Sequence, residues 1–343
     1  MANIAMRGLN KLLKITFLLS ILVTFSNAGA FASSEESEGG KTDYIMEHIK
    51  DAHDWHLATI GHTHVTIPLP IILYSQEKGL DIFMSSNFYD EHHNHVAYNG
   101  YQLNSHGKIE ALDGNSFLDI SITKNTASLL ISAILLFAIF LSVAKRYKQA
   151  PNTAPKGLQS FIEPIILFVR DDIAIPNLGE KKHAKFMPYL LTVFFFIWIN
   201  NLMGLLPGAA NLTGNISVTF VLAVFTLIIT NVNGNKHYWG HIFNMPGLPK
   251  VLLPIMVPIE IIGIFTKPFA LMVRLFANIT AGHIIILSII GLIFIFGSSL
   301  TGIISVPFAT AMNFLELLVA FIQAYVFTLL SAIFIGQAVA DDH

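Results

Sequence analysis

An all-α, polytopic membrane fold is what this sequence predicts: about five membrane-crossing helices, an interfacial amphipathic helix and a C-terminal helical hairpin, behind a cleavable signal peptide. Three features predict it. Of 343 residues, 53% are hydrophobic and only 12% charged, and the mean hydropathy is +0.61, which is more apolar surface than one soluble core of this length requires. Long uncharged apolar runs recur from Thr126 to the C-terminus. Basic and uncharged loops alternate between those runs, as they do on the two sides of a bilayer.

The chain opens with Arg7, Lys11 and Lys14 ahead of the apolar run Ile15–Phe25, followed by small residues at Ala28, Ala30 and Ala32. Residues 1–32 therefore read as a signal peptide. An uncleaved interfacial anchor is the alternative, the run being shorter than the ~20 residues a span needs. Residues 33–125 form a histidine-rich extracytoplasmic extension, expected to have limited structure of its own. It is acidic: fourteen of the 22 acids fall between Glu35 and Asp119, a segregation hidden by the formal charge of −2. His62 and His64, and His92, His93 and His95, are of a metal-ligating type, but solvated loop histidines are the commoner reading and no metal site is assigned. The absence of cysteine removes disulfides and thiolate chemistry, and no nucleic-acid footprint is present.

The membrane domain runs from 126 to 343. Thr126–Ala144 and Phe186–Leu206 each match one bilayer crossing, and Ile216–Val232 is a short third. Leu275–Leu315 exceeds one crossing and contains Gly297-Ser298-Ser299 and Thr301-Gly302, a turn that divides it and starts the last helix, which continues through Leu317–Ala340. Lys145, Arg146, Lys148, Lys156, Lys181, Lys182, Lys185, Lys236 and Lys250 flank one side of these runs, which places those loops and the C-terminus in the cytoplasm and the mature N-terminus in the periplasm of a bacterial inner membrane. Between the first two crossings, Leu158, Phe161, Ile162, Ile165, Ile166, Val169 and Ile173 repeat at helical spacing. That stripe suits a helix on the cytoplasmic interface or one packed on another subunit.

The charges inside the apolar half carry the functional reading. After Lys250 only Glu260, Lys267, Arg274 and Glu316 are charged before the tail, with His283 titratable and Asn278 and Gln323 as polar amides. An arginine near mid-bilayer costs about 3 kcal/mol or more and cannot escape by deprotonating. Arg274 has Ala270, Leu271, Ala277 and Asn278 one turn away, so its helix supplies no carboxylate. Glu260, Lys267 and Arg274 recur every seven residues and form one polar stripe. An antiparallel hairpin turning near Ser299 sets Arg274 level with Gln323 and His283 level with Glu316. On a straight helix His283 lies half a turn around from Arg274, which indicates two faces with two tasks. Buried ionisable groups also serve simply to hold helices together, but an unpaired arginine beside a level His/Glu pair favours an ion path.

The stretch Lys267-Pro-Phe-Ala-Leu-Met-Val-Arg274-Leu-Phe-Ala-Asn278-Ile-Thr-Ala-Gly-His283 closely resembles the signature of F-type ATP synthase subunit a, and Asn200-Asn-Leu-Met-Gly-Leu-Leu-Pro207 resembles its second recurring motif. Coverage runs from about Thr126 to the end. The resemblance implies a non-catalytic stator subunit with two offset proton half-channels. Arg274 would face the ring of c subunits, and His283, Glu316, Asn278 and Gln323 would line the external half-channel. Glu260, one heptad before Lys267, would border the cytoplasmic one. It also implies b-type peripheral stalk subunits and the remainder of the synthase as partners, with no cofactor. Some members carry Glu at the position of His283 and His at that of Glu316, an exchange that keeps one acid and one imidazole at one level. The long extension departs from many members. An independent secondary transporter and an intramembrane hydrolase using Glu316 and His283 are the alternatives. No inverted repeat supports the first, and no nucleophile or metal set supports the second.

Overall fold

The computed structural model describes residues 51–60, 63–76, 79–90, 95–104, 107–149, 154–206, 210–244, 249–296 and 299–340. The signal-peptide reading, His62, His92 and His93 lie outside the described residues. Contacts divide the chain into two units. One holds the N-terminal part to Ile131 together with Met203–Leu212 and Ile284–Leu315; the other holds Ser132–Leu202, Thr213–His283 and Glu316–His343.

In the first unit the extension is more structured than the sequence reading expects. Strands β1 (Asp54–Ile60) and β2 (Thr63–Pro68) pair antiparallel. β3 (Pro70–Ser75) lies between β4 (Gly79–Met84) and β7 (Phe117–Asp119), and β5 (Tyr101–Leu103) pairs with β6 (Ile109–Ala111). Alternation along β3 and β4 sends Ile71, Leu73 and Phe83 into a small core with Phe88, Tyr101 and Ile109. His95 is exposed and its ring lies 5.1 Å from that of Tyr89.

Four residues join the sheet to helix α1 (Lys124–Gln149), and the amides of Ile120 and Ile122 still donate to the carbonyls of Ile72 and Pro70. The Lys124 amide donates to the Ala52 carbonyl, and the Asn125 amide donates to Asp51 Oδ1, so residues far upstream cap the helix. His53 Nε2 stands 3.3 Å from Asp119 Oδ2. Burial works against charge on both: it lowers the His53 pKa, but the Asp119 hydrogen bond and charge outweigh it and raise the net value. Burial also raises that of Asp119, but bonds from His53 and Ser121 bring it down to about 2.

The second unit is a helical bundle. Helix α2 (Leu158–Phe168) continues through a π-helical turn, Val169–Ala174, into α3 (Ile175–Gly204), with a non-helical break at Gly179 (φ 76°, ψ 161°) that suits a residue lacking Cβ. The α2 stripe divides: Ile162, Val169 and Ile173 join the bundle core, while Leu158 and Phe161 stay exposed. Phe168 meets Phe194, Phe321 and Tyr325 in an aromatic cluster that includes Trp198. Helix α4 (Ile216–Val232) is capped by Asn215, whose side chain accepts from the Ser217 amide. The short helix α5 (Lys236–Phe243) is bent by 100° from α4.

Helices α6 (Leu253–Phe296) and α7 (Ser299–Val339) complete the hairpin. Helix resumes at Ser299, so Ser299–Gly302, which the sequence reading gives to a turn, are helical. α6 has 44 residues, about 66 Å at 1.5 Å each. That is roughly twice the ~30 Å hydrocarbon thickness, so α6 must run steeply inclined to the bilayer normal or project beyond it. Four helical stretches are long and apolar enough to cross a membrane, and the bent α4–α5 pair brings the total to five.

At the end of α7, Lys182 Nζ donates to the Val339 carbonyl, Asn235 Nδ2 donates to the carbonyls of Val339 and Ala340, and the Asn235 amide donates to Ala338. These donors satisfy carbonyls that a helix C-terminus leaves open. Gly336 is obligatory here, because a Cβ would stand 2.2 Å from the Asn177 carbonyl oxygen.

The His53–Asp119 link sets a pH window. A raised histidine contributes stability below its unfolded value, lost as pH rises through the folded one. A depressed aspartate contributes above its unfolded value, lost as pH falls through about 2. The link is therefore strongest between about pH 4 and 6.5. In the intact protein, hydrogen exchange of residues 117–122, corrected for intrinsic rates, is expected to show more protection at pH 6 than at pH 8. Asp119→Asn should flatten that difference.

Candidate functional site

Helix α6 carries the polar stripe on an apolar scaffold. Arg274 stands at the midpoint of α6 and is exposed. Among the described residues it makes no ion pair and no hydrogen bond. Asn278, one turn on, is also exposed, and the positions beside the arginine on this face, Ala270, Ala277 and Ala281, are small and exposed. Leu271, Leu275 and Ile279 face the other way into the bundle core. The helix thus presents one long cation on a face otherwise open to close approach.

His283 turns from that face toward α7. Its Nδ1 lies 3.9 Å from Glu316 Oε1, within ion-pair reach but longer than a hydrogen bond. The two residues meet at one level, as the hairpin register requires. Glu316 is 6% exposed, and neither carboxylate oxygen has a hydrogen-bond partner among the described residues. Leaving a buried carboxylate so poorly bonded is costly unless water or a proton compensates it. Gln323, two turns along the same helix, is buried as well.

Toward the other end of α6, Lys267 Nζ donates to Gln337 Oε1 at 3.1 Å and lies 5.5 Å from the centre of the Phe334 ring. Glu260 is half-buried. The stripe is therefore divided: Lys267 is engaged by α7, while Arg274 is left unengaged among the described residues.

Several residues near the pair carry no role in the sequence reading. Gly282 precedes His283, and a Cβ there would stand 2.6 Å from Glu316 Oε1, so the acid occupies the space a side chain would need. Asn201 Nδ2 donates to the Ala320 carbonyl, and Thr213 Oγ1 donates to Asn201 Oδ1. This fastens the end of α3 to α7 one turn past Glu316. Asn200 Oδ1, Thr280 Oγ1 and both Glu316 oxygens are buried without a hydrogen-bond partner among the described residues, as are Glu163 Oε2, Thr230 Oγ1 and Thr328 Oγ1 elsewhere in the same unit. The available signal was the Asn200-Asn201 pair inside an apolar run, where amides are costly unless used.

Comparison with known proteins gives the same family over most of the chain. The family model described as ATP synthase A chain matches residues 126–336, and a second, a domain of unknown function (DUF8433), matches residues 44–128. ATP synthase subunit a 2 of Chlorobaculum tepidum (strain ATCC 49652 / DSM 12025 / NBRC 103806 / TLS) is 42% identical over 92% of this chain and 90% of its own length. ATP synthase subunit a of Anaeromyxobacter sp. (strain Fw109-5) is 40% identical over 92% of this chain and 75% of its own. That of Chloroherpeton thalassium (strain ATCC 35110 / GB-78) reaches 49% over 66% and 69% respectively.

The Gly282 contact makes a sharp expectation. Gly282→Ala should push the Glu316 carboxyl away from His283, and since a displacement of about 1 Å can cost around a hundredfold in a positioned reaction, proton flux should fall between about ten- and a hundredfold. Passive proton conduction through the membrane sector in vesicles measures this. Unchanged conduction would show that the close packing of Gly282 on Glu316 does not matter.

Proposed function

The chain belongs to the ATP synthase A chain family, and from that membership we propose that it is the stator subunit which lends protons a path to and from a rotor ring of c subunits. Its relatives are subunits, so it works within a larger complex, as a multi-pass membrane protein. The observation that carries the reading is Arg274: a permanent cation at the middle of an apolar helix, exposed, flanked by alanines and, among the described residues, without an acid. Its partner on this reading is the carboxylate of each passing c subunit, whose charged form the guanidinium favours. The small neighbours let a rotor helix come close.

A fixed positive charge between two offset half-channels blocks direct leakage, so each proton boards the rotor, travels with it and leaves on the other side. His283 and Glu316 relay protons on the external side, with Asn278 and Gln323 as polar lining. The unpartnered carboxylate oxygens of Glu316 are of the kind water satisfies, which supports a wet environment beside His283. Glu260 and Lys267 border the cytoplasmic half-channel. The chain itself carries out no bond chemistry on this account; b-type stalk subunits hold it against the ring's rotation. The extension lies in the periplasm and the C-terminus in the cytoplasm, as the flanking lysines indicate.

Two experiments test this. Arg274→Ala is expected to abolish ATP-driven proton pumping and ATP synthesis while the soluble sector still hydrolyses ATP; normal coupled pumping rejects the assignment. The double exchange of His283→Glu with Glu316→His is expected to keep more coupled activity than either single change. Additive losses count against a working pair.

A further inference from the structure

The three-stranded sheet of the extension has a second face that its own core does not use. Register places Tyr74 of β3 between Leu80 of β4 and Leu118 of β7. One pleat along, Ile72 pairs with Ile82, and the Ile120 amide donates to the Ile72 carbonyl, which puts Ile120 on the same face. These side chains form a continuous apolar surface across all three strands. Tyr74, Leu80, Ile82, Leu118 and Ile120 are between 49% and 63% exposed, too much for a face the extension covers by itself. The acids of the strands turn the other way: Asp81 accepts from the Tyr101 hydroxyl, and Asp119 pairs with His53. An apolar patch of this size with its charges sorted to the opposite face marks a contact surface.

Its position identifies the occupant. The same register continues to Ile122, whose amide donates to the Pro70 carbonyl, and α1 begins at Lys124. Bonds from Lys124 to Ala52 and from Asn125 to Asp51 fix that junction, so no flexible linker separates sheet from helix. α1 is long and apolar enough to cross a membrane, and only 17% of its apolar window is buried within the chain. With α1 crossing a membrane, the bilayer surface lies within a turn or two of Ile122, next to the apolar face.

We propose that this sheet face rests on the surface of the bilayer that α1 enters, with its aliphatic side chains set into the boundary between headgroups and acyl chains. The extension is then a monotopic lipid-binding platform, about 5–10 Å deep at its apolar face, like the burial of an amphipathic interfacial helix. The inference rests on α1 crossing the membrane and not on the ion-translocation reading.

The chain contains no cysteine, which permits site-specific labelling. Ile82→Cys and Leu118→Cys are spin-labelled in the assembled complex and reconstituted into phosphatidylcholine–phosphatidylglycerol vesicles, with the unlabelled parent as background and Gln102→Cys, exposed on β5, as the aqueous reference. Power saturation with oxygen and with a water-soluble nickel chelate reads the environment. The face labels should favour oxygen several-fold over nickel, and the Gln102 label the reverse. Nickel access at the face would place it in water and overturn the proposal. Exclusion of both reagents would mean cover by protein, whether another subunit or another part of this chain, and would overturn it equally. If a labelled variant fails to assemble, Ile82→Trp with brominated phospholipid decides the matter: quenching beyond that of the parent, whose Trp55, Trp198 and Trp239 set the background, supports lipid contact, and no added quenching of the new fluorescence refutes it.

Discussion

The structure is organised around a charge that hydrocarbon cannot hold alone. Arg274 stays protonated at any ordinary pH, and its cost inside a bilayer must be met by an opposite charge or by water. Glu316 is the one other charged residue of the hairpin beyond it, and that acid is turned inward against His283. The two faces anticipated from helical geometry are kept apart by packing: Leu271, Leu275 and Ile279 occupy the arc that enters the core, and the arginine stays outside it. A site that holds its cation and its acid on separate faces is suited to receiving a third, mobile charge between them.

That separation requires a rigid scaffold, because helices that slid by one residue would mix the faces. Polar staples provide the rigidity at several levels of α7. Asn201 holds Ala320 near Glu316; Thr226 links the Tyr189 hydroxyl to Ser331 in the middle; Lys182 and Asn235 hold the carbonyls at the end. Hydrogen bonds of this kind are individually modest between membrane helices, worth about 1 kcal/mol. Their value is in fixing register, with Gly282 and Gly336 supplying the two closest approaches.

The helical half was legible because its signals are local. Apolar runs and a heptad of charges lie within one or two turns of sequence, and the expected hairpin register does bring His283 to Glu316. Ser299–Gly302 misled for a physical reason: in an apolar setting backbone groups gain most by staying helical, so Gly and Ser do not force a turn there. The extension was opaque because its order comes from distant partners. Asp51 caps a helix that begins at Lys124 and β7 pairs with the distant β3, while the neighbouring strands pair as hairpins of three to seven residues, so the alternation in β3 and β4 is too short to stand out. Gly282 was hidden inside a recognised motif, since nothing in the letter G says that an acid from another helix fills its missing side chain.

Proximity is the most direct measure of the central claim. With a cysteine at Ala277, on the exposed face beside Arg274, and a second cysteine next to the rotor carboxylate, the account predicts oxidative cross-linking of this chain to the c ring in the assembled membrane sector. Absence of that cross-link, while a cysteine on the opposite face of α6 does cross-link to the ring, would contradict it.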